Sequence, residues 1–145
     1  MAKSLKLDDQ LCFSIYAASH AFTRFYKPLL EPLGLTYPQY LVLLTLWESD
    51  GLPLKTIGAR LGLDSGTLTP LLKRMEEAGF LTRARDKADE RQVIVELTGK
   101  GRRLEAKAAN FPQQIGAASS CSGAELQALT KLMFRLRDDL DAVAA

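Results

Sequence analysis

The residues best suited to chemistry in this chain are two cysteines, Cys12 and Cys121, and four tyrosines, Tyr16, Tyr26, Tyr37 and Tyr40. A thiolate is a nucleophile, and oxidation takes it to a sulfenic acid that a second thiol can condense with to a disulfide. Phenols can donate to a thiolate and so favour it. A position near a helix N-terminus acts the same way, although Asp8 and Asp9 oppose it. Cys12, in DDQLCFSIYAASHAFTRFYKPLL, has two readings at this point: a small apolar residue on a helix face, or a reactive thiol. Cys121, in AASSCSGAEL, is equally ordinary when taken alone. Tyr16 lies four residues beyond Cys12, on the same helix face. Tyr26 lies fourteen residues on, about 21 Å at ~1.5 Å per residue. On a straight helix it cannot meet Cys12 of its own chain; it reaches the thiol only across a dimer or after a break in the helix. The single histidine, His20, has no histidine partner, and metal-ligand spacing is absent. Neither a metal nor a cofactor is expected.

A second set of residues lies in LDSGTLTPLLKRMEEAGFLTRARDKADERQVIVELTGKG. Ser65, Thr67 and Thr69 are short donors and acceptors suited to phosphates or base edges, at a helix start whose free amides can meet phosphate. Lys73 and Arg74 follow on the outer side. Arg83, Arg85, Lys87 and Arg91 can place a hairpin along a nucleic-acid backbone or in its minor groove. Pro70 is expected early in its helix, because deeper in it would remove a backbone bond. Glu76, Glu77, Asp86, Asp89 and Glu90 offset most of this positive charge. Charge alone therefore leaves two readings, a DNA face or an ordinary solvated surface.

The elements that must position these residues follow from periodicity. The chain has 145 residues, a formal charge of +2 and 47% apolar residues, enough for one domain with a core and too balanced to name a partner. No apolar run suits a membrane span, and MAKSLKLDDQ has no apolar signal core behind its lysines, so a cytoplasmic chain is expected. Two distant cysteines do not make a secreted disulfide framework. Asp8 or Asp9 is expected to cap a first helix with the stripe Leu11, Ile15, Ala18, Phe22, Phe25 and Leu29, bent near Pro28 and closed by Pro32 and Gly34. Thr36 and Gln39 have capping-box spacing before a buried helix, Tyr37 to Glu48. Asp50-Gly51 turns the chain. Pro53 to Leu61, Gly62-Leu63-Asp64 and a helix through Ala78 with Leu68, Leu72 and Met75 inward form a helix-turn-helix. The period then changes to two around Val93, Val95 and Leu97, a hairpin with its tip near Lys87-Ala88-Asp89. Thr98 caps a helix to about Phe111, which Pro112 and the small residues Gly116 to Ser120 interrupt. Ser122 and Glu125 cap a last helix, Ala124 to about Val143.

This order, with DSGTLTPLLKRMEEAGFL as recognition helix and DERQVIVELT as wing strand, resembles the MarR family of winged helix-turn-helix repressors over essentially the whole chain. The resemblance implies a mainly α fold with a small β-hairpin wing, one chain over residues 1–145. Residues 1–35 and 99–145 would form a helical dimerisation region and residues 36–98 the DNA-binding region. It implies a homodimer on an inverted-repeat operator in double-stranded DNA, since the two-fold axes of protein and site coincide. Asp89 would support the wing while Arg91 approaches the minor groove.

The segment QLCFSIYAASHAFTRFYKPLLEPLGLTYPQYLVLLTLWE is similar to the organic hydroperoxide resistance regulators, a MarR subgroup. By that resemblance Cys12 is the peroxide-sensing thiol, and Tyr26 and Tyr37 are its hydrogen-bond partners from the other subunit. Cys121 matches members with a second, resolving cysteine, and the implied bridge joins Cys12 and Cys121 of different subunits. Phe13, Tyr16, Phe22 and Phe25 are candidate walls of an apolar pocket for an organic hydroperoxide. The expected function is a repressor that binds its operator when reduced and leaves it when oxidised, and not an enzyme. Two rivals stand beside it: a ligand-responsive MarR repressor with structural cysteines, and a thiol peroxidase, against which the hydroxyl-rich helix and wing argue.

Overall fold

Residues 5–145 are described by the computed structural model; the part of the leader reading that rests on residues 1–4 lies outside the described residues. Two compact units form, one through Ala106 and one from Lys107 on. The first holds helices α1 (Leu11–Leu30), α2 (Tyr37–Glu48), α3 (Leu54–Leu61) and α4 (Ser65–Glu77), strands β1 (Leu52–Pro53), β2 (Leu81–Arg85) and β3 (Val93–Leu97), and most of α5 (Gly99–Ala108). The second holds the end of α5, then α6 (Phe111–Ala118) and α7 (Gly123–Ala144).

The start of α1 differs from the expected one. Asp8 and Asp9 lie inside a short 3-10 turn, Leu7–Asp9, so neither is free to cap; the N-cap is the extended Gln10, whose side chain makes no capping bond. The helix then runs through Pro28 to Leu30 without a break. None of the stripe Leu11, Ile15, Ala18, Phe22, Phe25 and Leu29 is buried within the chain; the buried residues of α1 are Tyr26 and Leu30. In the C-terminal part of α1 the inward positions are one residue further on.

Helix α2 matches its expected bounds. Thr36 Oγ1 accepts from the Gln39 amide at 3.4 Å while the Thr36 amide donates to Gln39 Oε1 at 3.1 Å, so two free first-turn donors are satisfied. Val42, Leu43 and Leu46 of α2 join Ile57 of α3 and Leu68, Leu71, Leu72 and Met75 of α4 in the core. Between α3 and α4 the chain turns at Gly62, in the left-handed region at φ 69°, and Asp64 caps α4 by accepting from the Thr67 amide at 2.8 Å. Pro70 departs from expectation: it is the sixth residue of α4, inside the helix and past the free first turn. Such a proline costs about 3 kcal/mol relative to alanine. The buried faces of α4 supply the packing that offsets it.

The hairpin is part of a three-stranded antiparallel sheet in the order β1-β3-β2. Strand β2 pairs with β3 in the register Leu81↔Leu97 to Arg85↔Val93, and β1 adds Leu52↔Val95 and Pro53↔Ile94 on the outer edge. Several bonds fasten the base of the sheet to the helices. Asp50 accepts from the Leu97 amide at 2.9 Å, the Gly51 amide at 2.8 Å and Arg102 Nη2 at 3.0 Å. Thr98 Oγ1 donates to the Gly79 carbonyl at 2.6 Å and accepts from the Gly101 amide at 3.1 Å, which caps α5 as expected. Gly101 lies so close to the Phe80 carbonyl that a Cβ there would overlap it, and the Gly101 carbonyl accepts from Trp47 Nε1 at 3.0 Å.

Two helices replace the expected single one before α7. Helix α5 stops at Ala108, and Pro112 lies in the first turn of α6, where its missing N–H costs no helical bond. Pro112 therefore starts a helix where an interruption was expected, and Gly116 lies within α6. The Ser122–Glu125 capping box opens α7 as expected. No residue of α7 is buried, and Leu129, Leu132, Phe134 and Leu140 are each about half exposed or more. No described helix is long and apolar enough to cross a membrane.

Candidate nucleic-acid interface and thiol site

At ~100° per residue, the line on α4 opposite the buried Leu68, Leu71, Leu72 and Met75 passes through Gly66, Pro70, Lys73 and Glu77. Ser65 and Thr69 flank that line on one side and Thr67 and Arg74 on the other, and all eight are exposed. The expected hydroxyls and cations do share one outward surface. Gly66 and Pro70 lie on its midline with Lys73 and Glu77, and neither was given a contact role from the sequence.

The wing sorts its arginines into two kinds. Arg83 is braced inward, with its side chain only 22% exposed. Glu76 at the end of α4 accepts from the Arg83 amide at 2.8 Å, from Nε at 3.3 Å and from Nη2 at 3.2 Å. The Arg83 amide first, and then the guanidinium, hold the Glu76 carboxyl below its usual range. Arg85 donates to the Glu90 carbonyl at 2.8 Å and stiffens the tip. Arg91 is 91% exposed and grips Asp89 twice, Nε to Oδ1 at 3.1 Å and Nη2 to Oδ2 at 3.4 Å, while its amide also donates to Oδ1 at 3.1 Å. The Arg91 side chain and amide lower the Asp89 carboxyl. A pair this exposed contributes little stability; what it does is aim the guanidinium. Lys87 is exposed at the tip. Glu76 was read only as offsetting charge; its tie to Arg83 forms once β2 folds back past the end of α4.

Cys12 and Cys121 are both free thiols and both exposed. Cys12 is the second residue of α1, and Cys121 stands one residue before the α7 cap, its amide donating to Ser119 Oγ at 2.9 Å. Because α1 is unbroken through Cys12 and Tyr26, the option of a break in the helix is removed. Within one chain the two residues stay about 21 Å apart along the axis at ~1.5 Å per residue. At the far end of α1, three phenols cluster. Tyr26 lies with its ring centroid 5.3 Å from that of Tyr37 and 5.2 Å from that of Tyr40, and Tyr37 and Tyr40 are 6.3 Å apart. Tyr26 and Tyr40 are 7% and 3% exposed. Burial raises the Tyr26 hydroxyl, while its hydrogen bond with Tyr40 lowers it; the same burial, with Tyr26 and Tyr37 nearby, raises Tyr40 further. Tyr37 is raised by burial and by Tyr26. All three therefore keep their protons at neutral pH and are hydrogen-bond donors. Tyr40 is the member of the cluster to which the sequence reading gave no role.

The candidate pocket residues sit along α1. Phe13 stacks on Tyr16 at 6.5 Å, Tyr16 lies 4.2 Å from the His20 ring, and Phe25 meets Tyr26 edge-on at 6.1 Å. Phe22 and Tyr16 are exposed. None of the four candidates lines the cavity of about 290 Å³ beside Tyr37, whose walls include Thr23, Lys27, Leu30, Leu35 and Thr36.

An exposed second helix of a helix-turn-helix, beside a three-stranded wing with an outward arginine, defines a winged helix-turn-helix regulator. The family model described as Transcriptional regulator SarA/Rot matches residues 24–107. The HTH-type transcriptional regulator TtmR of Methylorubrum extorquens (strain PA1) is 55% identical over 138 residues, 95% of this chain and 71% of that protein. The Organic hydroperoxide resistance transcriptional regulator of Bacillus subtilis (strain 168) is 49% identical over 136 residues, 94% of this chain and 92% of that one. Among solved structures, reduced AbfR bound to DNA superposes with a TM-score of 0.82 at 38% identity, covering 96% of this chain and 95% of that one. AbfR is a Staphylococcus epidermidis protein, and its disulfide form has a TM-score of 0.64 at 44% identity over 90% of this chain and 91% of that one. The chain belongs to the MarR-like winged-helix family of transcriptional regulators, close to the organic hydroperoxide resistance regulators; it is a DNA-binding regulator and not an enzyme.

Proposed function

We propose that this regulator is a redox-sensing repressor that holds an inverted-repeat operator as a reduced homodimer and releases it when organic hydroperoxide oxidises Cys12. The observation that carries the reading is one unbroken helix with an exposed thiol at its start and three clustered phenols near its end. Two copies of α1 crossing antiparallel bring each Cys12 to the partner's Tyr26 and Tyr37. Residues 1–35 and 99–145 then form the dimerisation region and residues 36–98 the DNA-reading region. Ser65, Thr67, Thr69, Lys73 and Arg74 meet the major groove, Arg85 and Lys87 the backbone, and Arg91, aimed by Asp89, the minor groove. Arg83 acts mainly through its brace to Glu76.

The chemistry proceeds in two steps. The Cys12 thiolate attacks the outer oxygen of the hydroperoxide; the O–O bond breaks, an S–O bond forms, and the alcohol leaves with a proton. The sulfur is oxidised by two electrons and the peroxide reduced. The Cys121 thiol then attacks the sulfenic sulfur, water leaves, and an intersubunit disulfide remains. The movement that closes it changes the spacing of the recognition helices and makes the operator geometry costly. AbfR has been solved reduced on DNA, overoxidised on DNA and in a disulfide form. That series supports the disulfide, rather than oxidation alone, as the releasing step here.

The test is an operator titration at fixed salt with increasing hydroperoxide. Wild type releases DNA after about one peroxide per Cys12, while Cys12→Ser binds equally well and ignores the oxidant. Release of that variant on oxidation would remove Cys12 from the mechanism. The cavity beside Tyr37 favours a second reading, a repressor that responds to a bound ligand with structural cysteines. The exposure of both thiols counts against it, and release by a salicylate-like ligand without any response to peroxide would establish it.

A further inference from the structure

The recognition helix carries an internal proline on its exposed face, on the side away from the core that stabilises it. Proline has no N–H, so the Gly66 carbonyl, four residues earlier, does not receive its helical bond. Carbonyls on the solvent side of a helix tilt outward, and a proline ring at i+4 pushes the same carbonyl further out. Gly66 has no side chain to cover this oxygen, and even a Cβ there would meet only Asp64 Oδ1, at 3.4 Å. Gly66 and Pro70 are both exposed and lie on the midline of the outward face, about two turns and one turn before Lys73. The exposed surface of α4 thus pairs a backbone acceptor that lacks its i+4 donor with an apolar ring. A local violation of helix chemistry kept at an exposed position, where packing gains nothing from it, marks a functional demand.

We propose that the Gly66 carbonyl and the Pro70 ring form a base-reading pair that selects an A·T pair in each half-site. This rests on the operator-binding reading above. In the major groove the adenine N6 amino group donates and the thymine C5 methyl is the apolar feature; a G·C pair also offers an amino group, on cytosine, but has no methyl. The carbonyl accepts from the amino group, and the ring packs on the methyl. Neither contact depends on a charged side chain, so the pair adds discrimination without adding salt dependence.

Pro70→Ala restores the helical N–H, which recaptures the Gly66 carbonyl and removes the ring in one change. Binding sites are selected from a randomised duplex library with wild type and with Pro70→Ala, and affinities are measured at fixed salt. Wild type is expected to demand A·T at one position per half-site, with a G·C swap there costing about tenfold. Uracil in place of that thymine, which removes only the methyl, is expected to cost it several-fold. Pro70→Ala loses both penalties, keeps its preferences elsewhere and its salt slope, and melts at a higher temperature. Retention of the A·T preference and the uracil penalty by Pro70→Ala overturns the inference, as does a loss spread equally over every position. If wild type selects no sequence at all, the operator reading falls and takes this with it. An operator that wild type and variant read alike sinks this inference alone.

Discussion

Asp50 and Gly101 show how single residues hold the wing to the helices. Burial alone would raise the Asp50 carboxyl, but the Leu97 amide, Arg102 and the Gly51 amide outweigh it and leave it below its ordinary value. A depressed carboxylate contributes stability that is fully present above its unfolded pKa, roughly 3.9. That stability is lost as pH falls through the lower folded value. Asp50→Asn, which keeps one acceptor and loses the charge, is expected to cost about 1–3 kcal/mol at neutral pH and to flatten the acid limb of a stability–pH curve measured by urea unfolding; an unchanged acid limb would mean other carboxylates set it. Gly101→Ala drives a methyl into the Phe80 carbonyl, which is backbone and cannot rotate away. Overpacking of this kind costs about 1–3 kcal/mol or more, and a shift of the urea midpoint reports it. Neither role was legible in the sequence. The bonds of Asp50 reach 47 and 52 residues along the chain, and the crowding at Gly101 comes from a residue 21 positions earlier. For Cys12 the residue type left two readings open, a small apolar residue or a reactive thiol, and the helical rise supplied only its distance from Tyr26. Tyr40 was not assigned a role because only the fold puts its ring on Tyr26.

Several elements whose ends are marked by local chemistry were read correctly, although the expected Asp8 or Asp9 cap of α1 was not. The Thr36–Gln39 and Ser122–Glu125 boxes, the Gly62 turn and the period-two stretch at Val93 each depend on neighbours within a few residues. Elements that depend on tertiary partners were not. Strand β1 has two residues, one of them proline, and exists only because β3 offers an edge. Pro70 was expected early in its helix because a deeper proline removes a backbone bond, and the packing of α4 offsets that loss. The wing illustrates how an element is tuned after it forms. Arg83 ties its root to α4 through Glu76, whereas Arg91 is held only by Asp89 at the exposed tip. Different outcomes are therefore expected for the two. Arg91→Ala should leave thermal stability unchanged, weaken operator binding about tenfold or more and reduce the salt slope by about one, as for a lost groove contact. Glu76→Ala should cost about 1 kcal/mol of stability, since the Arg83 amide loses its acceptor, and should weaken operator binding by loosening the wing. Equal operator affinity for Arg91→Ala and wild type, titrated at one salt concentration, would take Arg91 out of the interface.

On the scale of the whole molecule, each unit leaves an apolar helix surface uncovered: the first two-thirds of α1 in one, the length of α7 in the other. Exposed apolar area of that extent marks an interaction surface, and a second copy of the chain is the partner proposed here. Leu132→Asp is then expected to give monomers in sedimentation and to lose operator binding, because one recognition helix reads only a half-site. A Leu132→Asp variant that stays dimeric would place the interface elsewhere. The redox chemistry sharpens the same question, since the disulfide can close within a chain or between two. Mixing variants decides it. Cys12→Ser chains retain only Cys121, and Cys121→Ser chains retain only Cys12, so neither homodimer can form the bond. A mixed dimer holds one of each, on different chains. If the bridge is intersubunit, hydroperoxide gives a dimer-sized band on a non-reducing gel from the mixture and from neither variant alone, and a thiol reductant removes it. A bridge confined to one chain gives no such band in the mixture and would leave wild type monomer-sized after oxidation. Only the first outcome makes the dimer itself the sensor, because the bond that records the peroxide then constrains the spacing of the two DNA-reading helices directly.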